Sequence, residues 1–88
     1  MDEHKQLRLH IAEDLGRLME ARLIREEDLQ RTIHHAETSG EKFIDPSSDR
    51  SLASHRPDRV TYWVEYSAVD SGYRIHSAYS HRMEMKRA

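Results

Sequence analysis

The stretch 59–85, RVTYWVEYSAVDSGYRIHSAYSHRMEM, decides the fold that we expect. It holds five of the six aromatic residues in the chain, including the only tryptophan. Aromatic and β-branched side chains suit a pleated, half-buried surface, so this composition predicts two strands. The segment VDSG at 69–72 contains turn-forming residues and separates the two runs. We therefore expect a β-hairpin over residues 59–86.

Strict alternation along each strand assigns every hairpin side chain to one of two faces. The inner face, which carries the apolar residues, would consist of Val60, Tyr62, Val64, Tyr66, Ala68, Tyr73, Ile75, Ser77, Tyr79, His81, Met83 and Met85. The outer face would consist of Thr61, Trp63, Glu65, Ser67, Arg74, His76, Ala78, Ser80, Arg82 and Glu84. Only a loop of even length puts both apolar sets on one side. That loop is either Ser71-Gly72 or the four residues 69–72.

The N-terminal part predicts two helices that form a helical hairpin over residues 1–40. The first is expected from Asp2 or Glu3 to about Ala21, because apolar residues recur there at helical spacing. Its stripe consists of Leu7, Ile11, Leu15 and Leu18. The second is expected from Glu26 to about Ser39, with an acidic first turn and Gly40 as the capping residue.

Residues 41–58 allow two interpretations. Short apolar spots at Phe43-Ile44 and Leu52-Ala53 would form a small extra hairpin, while the Pro- and Ser-containing turn between them fits a loop. The sheet would then have two to four antiparallel strands. The expected fold class is α+β, a single small domain over 1–88 with the helical hairpin packed on one face of the sheet. The end of the last strand, 82–86, is expected to offer a free edge for β-augmentation or dimerisation.

Composition excludes several classes of protein. The chain has no cysteine, so thiolate chemistry, disulfides and iron–sulfur clusters are ruled out. No apolar run reaches the length of a membrane span, and the charged N-terminus lacks the apolar core of a signal peptide. We therefore expect a cytoplasmic protein with no membrane association.

Seven histidines are the main candidates for chemistry. His34 and His35 are adjacent and point about 100° apart on a helix, so they do not share one metal ion. A site assembled across the fold from His10, His35 and His81 has no support in the spacing, since HxH and HExxH patterns are missing. Ser80 and His81 would lie on opposite faces, and His81 is expected to be a core histidine. We expect no metal, no cofactor and no enzymatic activity.

The outer hairpin face suggests an interaction function instead. Tryptophan among small residues, with arginine nearby, is typical of interface hot spots. The expected partner-binding residues are Trp63, Arg74, His76, Arg82, His55, Arg56 and Arg59. The alternative is that residues 41–58 fold over Trp63 and bury it.

The expected function is a non-catalytic accessory subunit that stabilises or regulates a larger, enzymatic complex. The partner would be that larger subunit or a second copy of the chain. One alternative is a nucleic-acid-binding regulator that uses the same basic, aromatic face. Its support is weak, because residues 42–88 carry eight Lys and Arg against six acids. Another alternative is a small-ligand or metal sensor that uses histidines.

Overall fold

The computed structural model describes residues 6–57 and 59–82, with only the backbone of Arg82. Its elements are β1 (Leu9–His10), α1 (Glu13–Ala21), α2 (Glu26–Ser39), β2 (Lys42–Ile44), β3 (Ser51–His55), β4 (Val60–Val69) and β5 (Gly72–Arg82). The strands form one sheet in the order β1-β5-β4-β3-β2. The chain is therefore α+β with its helices in the N-terminal half, as expected. The sheet differs from the prediction, because it has five strands and is mixed.

The fifth strand is β1, which lies where the sequence predicted the start of the first helix. Leu9 pairs with Tyr73 in parallel register, and the side-chain amide of Gln30 donates to the Leu7 carbonyl at 2.9 Å. Leu7, Leu9 and Ile11 all pack against the core. The three residues alternate as in a strand, whereas Leu7 and Ile11 alone also continue a helical stripe, and pairing with the sheet selects the strand. The predicted helix is thus wrong over residues 7–12, and α1 begins at Glu13. The predicted start at Asp2 or Glu3 lies outside the described residues.

Helix α1 ends in a Schellman motif with an unusual residue at its key position. The Ile24 N–H donates to the Met19 carbonyl at 2.8 Å, and the Leu23 N–H donates to the Glu20 carbonyl at 3.1 Å. This geometry requires a left-handed residue, usually glycine. Here Leu23 has φ 58° and its side chain is 84% exposed. The motif stops α1 while leaving a strained residue at the surface.

Leu23→Gly is expected to raise the free energy of unfolding by about 1 kcal/mol, because glycine adopts the left-handed conformation without the cost of a Cβ. The exposed leucine side chain gives up no core contact when it is removed. Urea unfolding of the two proteins measures the difference. A lower stability for the glycine variant would show that Leu23 makes a stabilising contact.

Helix α2 agrees with its predicted bounds. The Asp28 carboxylate accepts a hydrogen bond from the Arg25 backbone N–H at 2.9 Å and so satisfies a free donor at the helix start. Gly40 follows the last turn with φ 78° and donates to the Ala36 carbonyl. The buried face of α2 consists of Asp28, Leu29, Thr32, Ile33 and Ala36. The prediction of Glu26–Ser39 with a Gly40 cap is confirmed.

Residues 41–57 form strands rather than a loop over the sheet. Phe43 of β2 pairs with Leu52 of β3, and Ser54 of β3 pairs with Trp63 of β4. The β2–β3 hairpin is therefore an in-plane extension of the sheet. The hairpin does not fold over Trp63. The alternative in which this segment buries Trp63 is therefore wrong.

The β4–β5 hairpin turns through Asp70 and Ser71, since Val69 pairs with Gly72. The loop is even in length, as predicted, but it lies one residue earlier than the Ser71-Gly72 alternative. Gly72 has φ 144° and sits directly against the backbone of Arg8. The turn is therefore built around the close approach of the segment that precedes β1.

A β-bulge reverses the faces of the second half of β5. Tyr66 pairs with Ile75, whereas Glu65 pairs with Ser77, so His76 is the extra residue. Beyond the bulge Ala78 points into the core and is 1% exposed, while Tyr79 points outward. The prediction of Ser77, Tyr79 and His81 as inner residues and of Ala78 and Ser80 as outer residues is wrong. The predicted inner residues Met83 and Met85 lie outside the described residues. Strict alternation fails because a bulge shifts the period by one residue.

The core lies between the two helices and the inner face of the sheet. Its helical members are Met19, Leu29, Ile33 and Ala36, and Ile24 joins them from the connection between α1 and α2. Its strand members are Ala53, Val64, Tyr66, Ile75 and Ala78. The Tyr66 ring meets the Tyr73 ring edge-on at 5.5 Å between centroids. All of the described helical cover is on this side, which leaves the opposite face of the sheet open.

Candidate interaction face

The surface opposite the helices is called the outer face below. The register assigns to it the residues Phe43, Leu52, Ser54, Thr61, Trp63, Glu65, Ser67, Arg74, His76, Ser77, Tyr79 and His81. Within residues 6–57 and 59–82 no helix or loop covers it. It spans β2 to β5, and three of these strands, β3, β4 and β5, lie in the interior of the sheet.

An aromatic pair lies at the centre of the outer face. Trp63 on β4 is the direct neighbour of Tyr79 on β5. Their ring centroids are 6.1 Å apart and their planes are inclined by only 11°, so the rings are stacked. The Tyr79 side chain is exposed, and Phe43 on the edge strand is 75% exposed. Trp63 itself is half-buried. Rings that stack on each other form a rigid apolar surface with little conformational entropy left to lose on binding.

Polar contacts fix the part of the outer face near the hairpin turn. The His76 Nε2 atom lies 2.8 Å from the Ser67 hydroxyl, and the Arg50 guanidinium donates to the Glu65 carboxylate at 3.0 Å. Burial lowers the pKa of His76 below its usual value, and the positive charge of Arg50 lowers it further. His76 is therefore neutral near pH 7, and Glu65 is largely balanced by Arg50.

Charge is distributed unequally between the two sides of the molecule. Arg74 is exposed on the outer face and has no ion pair within the described part of the chain. Glu65 is the only acid in the set assigned to that face. The helices carry acids in the first turn of each, three of them in α2. The outer face is thus weakly positive and the helical side is acidic.

The structure brings together three of the seven predicted partner-binding residues. Trp63, Arg74 and His76 share the outer face. Arg56 and Arg59 are exposed beside the β3–β4 connection, at one end of the sheet. The backbone of Arg82 pairs with Val60, and its side chain lies outside the described part of the structure. His55 is separate from the others, because it faces α2 on the inner side.

The histidines proposed for a metal site lie in different places. His10 bonds the Ser71 hydroxyl at 2.8 Å, His35 on α2 contacts His55, and His81 is exposed on the outer face. Within residues 6–57 and 59–82 no three His, Asp or Glu side chains form a group that could hold a metal ion. His81 is consequently not the core histidine that strict alternation predicted.

An open cleft of about 500 Å³ lies beside β1 and is the feature most relevant to a small-ligand sensor. Its walls are formed by Leu9, His10, Ile11, Ala12, Arg74 and Ile75. The Arg74 and His10 side chains are exposed, and the His10 ring is already bonded to Ser71. The cleft therefore lacks the enclosed, convergent polar groups that distinguish small-molecule sites.

Tyr79 and Phe43 belong to the candidate face and were missed from the sequence. Tyr79 was assigned to the core because the bulge at His76 leaves no clear signal in the sequence. The signal available for Phe43 was its place in a short apolar pair beside a turn, which is typical of an edge strand.

Comparison with family models, with curated proteins and with solved structures gave no match to this chain. Neither helix in the described ranges has the length and apolar character needed to cross a membrane. The function must therefore be argued from the residues of the outer face.

Proposed function

We propose that this chain is a non-catalytic interaction protein that docks on a larger protein through its outer face and serves as an accessory subunit. The observation that supports this proposal is the stacked pair of Trp63 and Tyr79 on two neighbouring interior strands, β4 and β5. Tryptophan, tyrosine and arginine are the residue types enriched at binding hot spots. The near balance of charge on this face favours a protein partner with an apolar centre.

Nucleic acid is the second candidate, and the same aromatic pair favours it. Bases stack on exposed rings of a sheet, and arginine beside the rings can contact phosphate. However, Arg74 is the one arginine of the outer face without an ion pair within the described ranges, and His76 is neutral near pH 7. A face with so few positive charges would make few phosphate contacts, so the protein partner is preferred.

The first experiment is native mass determination of the tagged chain after gentle purification from its own cells. A larger protein at fixed stoichiometry would be the expected result and would name the partner for binding measurements. A bare monomer would contradict the proposal. A homodimer would move the interface to a second copy of this chain.

Trp63→Ala is then expected to weaken binding of that purified partner at least tenfold, since loss of a central hot-spot residue costs about 2 kcal/mol or more. Tyr79→Ala should weaken it as well, because the two rings support each other. The control is Leu23→Ala, which removes an exposed apolar side chain from the helical side, away from the outer face. Calorimetry of the variants provides the comparison.

Equal affinities for Trp63→Ala and Leu23→Ala, with both proteins folded, would remove the outer face from consideration. Salt distinguishes the two partner classes. Binding that falls steeply between low and moderate salt would identify phosphate contacts and favour the nucleic-acid candidate. Weak dependence on salt is expected for a protein partner held by apolar contacts.

A further inference from the structure

Two histidines meet at the junction of the helical layer and the sheet, away from the outer face. His35 lies on α2 and His55 ends β3, with ring centroids 4.8 Å apart and planes inclined by 33°. The ring–ring contact links the C-terminal half of α2 to β3. It is one of the few described contacts between these elements that is made by titratable groups.

Charged groups of both signs surround this pair. Arg31, one turn before His35, lies close to His55 and donates to Glu27 at 2.9 Å. Glu41 lies 3.2 Å from the His35 ring, but its side chain is 75% exposed and its attraction is screened by water. On the sheet side Tyr62 is directly opposite His55, and the exposed Arg56 follows it in the chain.

Protonation changes the interaction between the His35 and His55 rings. Two neutral imidazoles pack favourably, whereas two imidazolium rings at this distance repel each other, and nearby Arg31 adds to the repulsion. Burial lowers the pKa of His55 below its usual value of 6.5, and the charges of His35 and Arg31 lower it further. Protonation of both rings is therefore unfavourable while the contact is formed.

We propose that His35 and His55 form an acid-sensitive contact that holds β3 to α2 when neutral and releases it when both rings are protonated. Because the proton is disfavoured in the closed form, the opened form takes up more protons. Stability of the contact therefore rises with pH between the lowered pKa of His55 and 6.5, and it is lost as pH falls through this range.

Loss of the contact between His35 and His55 would affect β2 and β3, the two strands at one side of the sheet. Phe43 and Leu52 of the outer face are on these strands, so acid would also disturb the edge of the binding surface. This consequence for binding rests on the proposed function. The opening itself does not, and it can be measured on the isolated protein.

The test is amide hydrogen exchange of the isolated protein at about pH 7.5 and about pH 5.5, a range that spans histidine titration, with correction for intrinsic rates. Protection of the β3 amides is expected to fall several-fold at the lower pH, relative to the β4–β5 hairpin. In His55→Gln this selective loss should disappear. His81→Gln, which changes an exposed histidine of the outer face, should behave like the unmodified protein.

A uniform loss of protection over the sheet, or an equal loss in His55→Gln, would overturn the proposal. If His55→Gln does not fold, His35→Gln provides the same comparison from the helix side. NMR titration of the unmodified protein gives an independent measurement. The His55 ring is expected to titrate below its ordinary value, and titration of His55 at or above that value would overturn the proposal.

Discussion

Gly72→Ala is expected to lower the free energy of unfolding by roughly 2–4 kcal/mol, a large effect for one methyl group. A Cβ at this position would lie 2.2 Å from the Arg8 carbonyl oxygen, and the backbone φ of 144° is unfavourable for alanine. The neighbouring atoms are backbone, and the same carbonyl accepts the Tyr73 N–H at 2.9 Å. Relief of the clash would therefore separate β1 from β5.

Urea unfolding measures this loss, and Gly16→Ala is the matched control. No atom lies within 4 Å of a Cβ built on Gly16, which is inside α1. Alanine there is expected to raise stability by about 0.5–1 kcal/mol, because glycine is a poor helix former. Equal effects of the two substitutions would contradict the close approach of Arg8 to the hairpin turn.

Leu29→Ala is expected to cost roughly 2–5 kcal/mol, since it leaves a cavity in a closely packed core. Leu29 is 0% exposed, and α2 contributes two further buried apolar residues, Ile33 and Ala36. A domain of this size has a total stability of about 5–15 kcal/mol, so the variant would be close to unfolding. Thermal unfolding monitored by circular dichroism measures the change.

The exposed Leu23 gives the control for this substitution as well. Leu23→Ala keeps the left-handed backbone and removes a side chain that is 84% exposed, so its stability should change by about 0.5 kcal/mol or less. A loss of under about 1 kcal/mol for Leu29→Ala would mean that α2 is not packed on the sheet as described.

The parts of the fold that follow from local signals could be predicted from the sequence. Helix α2 combines an acidic start, a buried stripe that includes Leu29 and Ile33, and a glycine cap. Each of these signals indicates the position of the helix in the sequence. The β4–β5 hairpin also follows from local composition, because its aromatic residues flank a short turn. Trp63 was correctly placed on the outer side because β4 alternates regularly and the extra residue of the bulge lies on β5.

The parts that depend on distant contacts could not be predicted in the same way. The pattern at Leu7, Leu9 and Ile11 suits a strand, but Leu7 and Ile11 also continue a helical stripe. Only the edge of β5 beside them decides between the two. The bulge at His76 is a second case, since it exchanges the faces of Ala78 and Tyr79 without a glycine or proline to mark it.

The residues of the candidate site also divide into those that local sequence predicts and those that depend on distant contacts. Trp63, Arg74 and His76 follow from alternation before the bulge, so the sequence placed them together correctly. Tyr79 lies on the outer face because of the bulge, so the sequence prediction missed it. His55 was grouped with these residues because of its position in the chain, yet the register of β3 directs it to the helices.

The parallel pairing of β1 with β5 also constrains the order in which the chain can fold during synthesis. His10 and Ser71, which bond across this junction, are 61 residues apart in sequence. The N-terminal segment therefore leaves the ribosome long before its partner strand exists, while α2 and the β2–β3 hairpin can form from neighbouring residues. Nascent chains shorter than about residue 74 have no docking site for Leu9, so β1 joins the sheet only after the hairpin turn has been made.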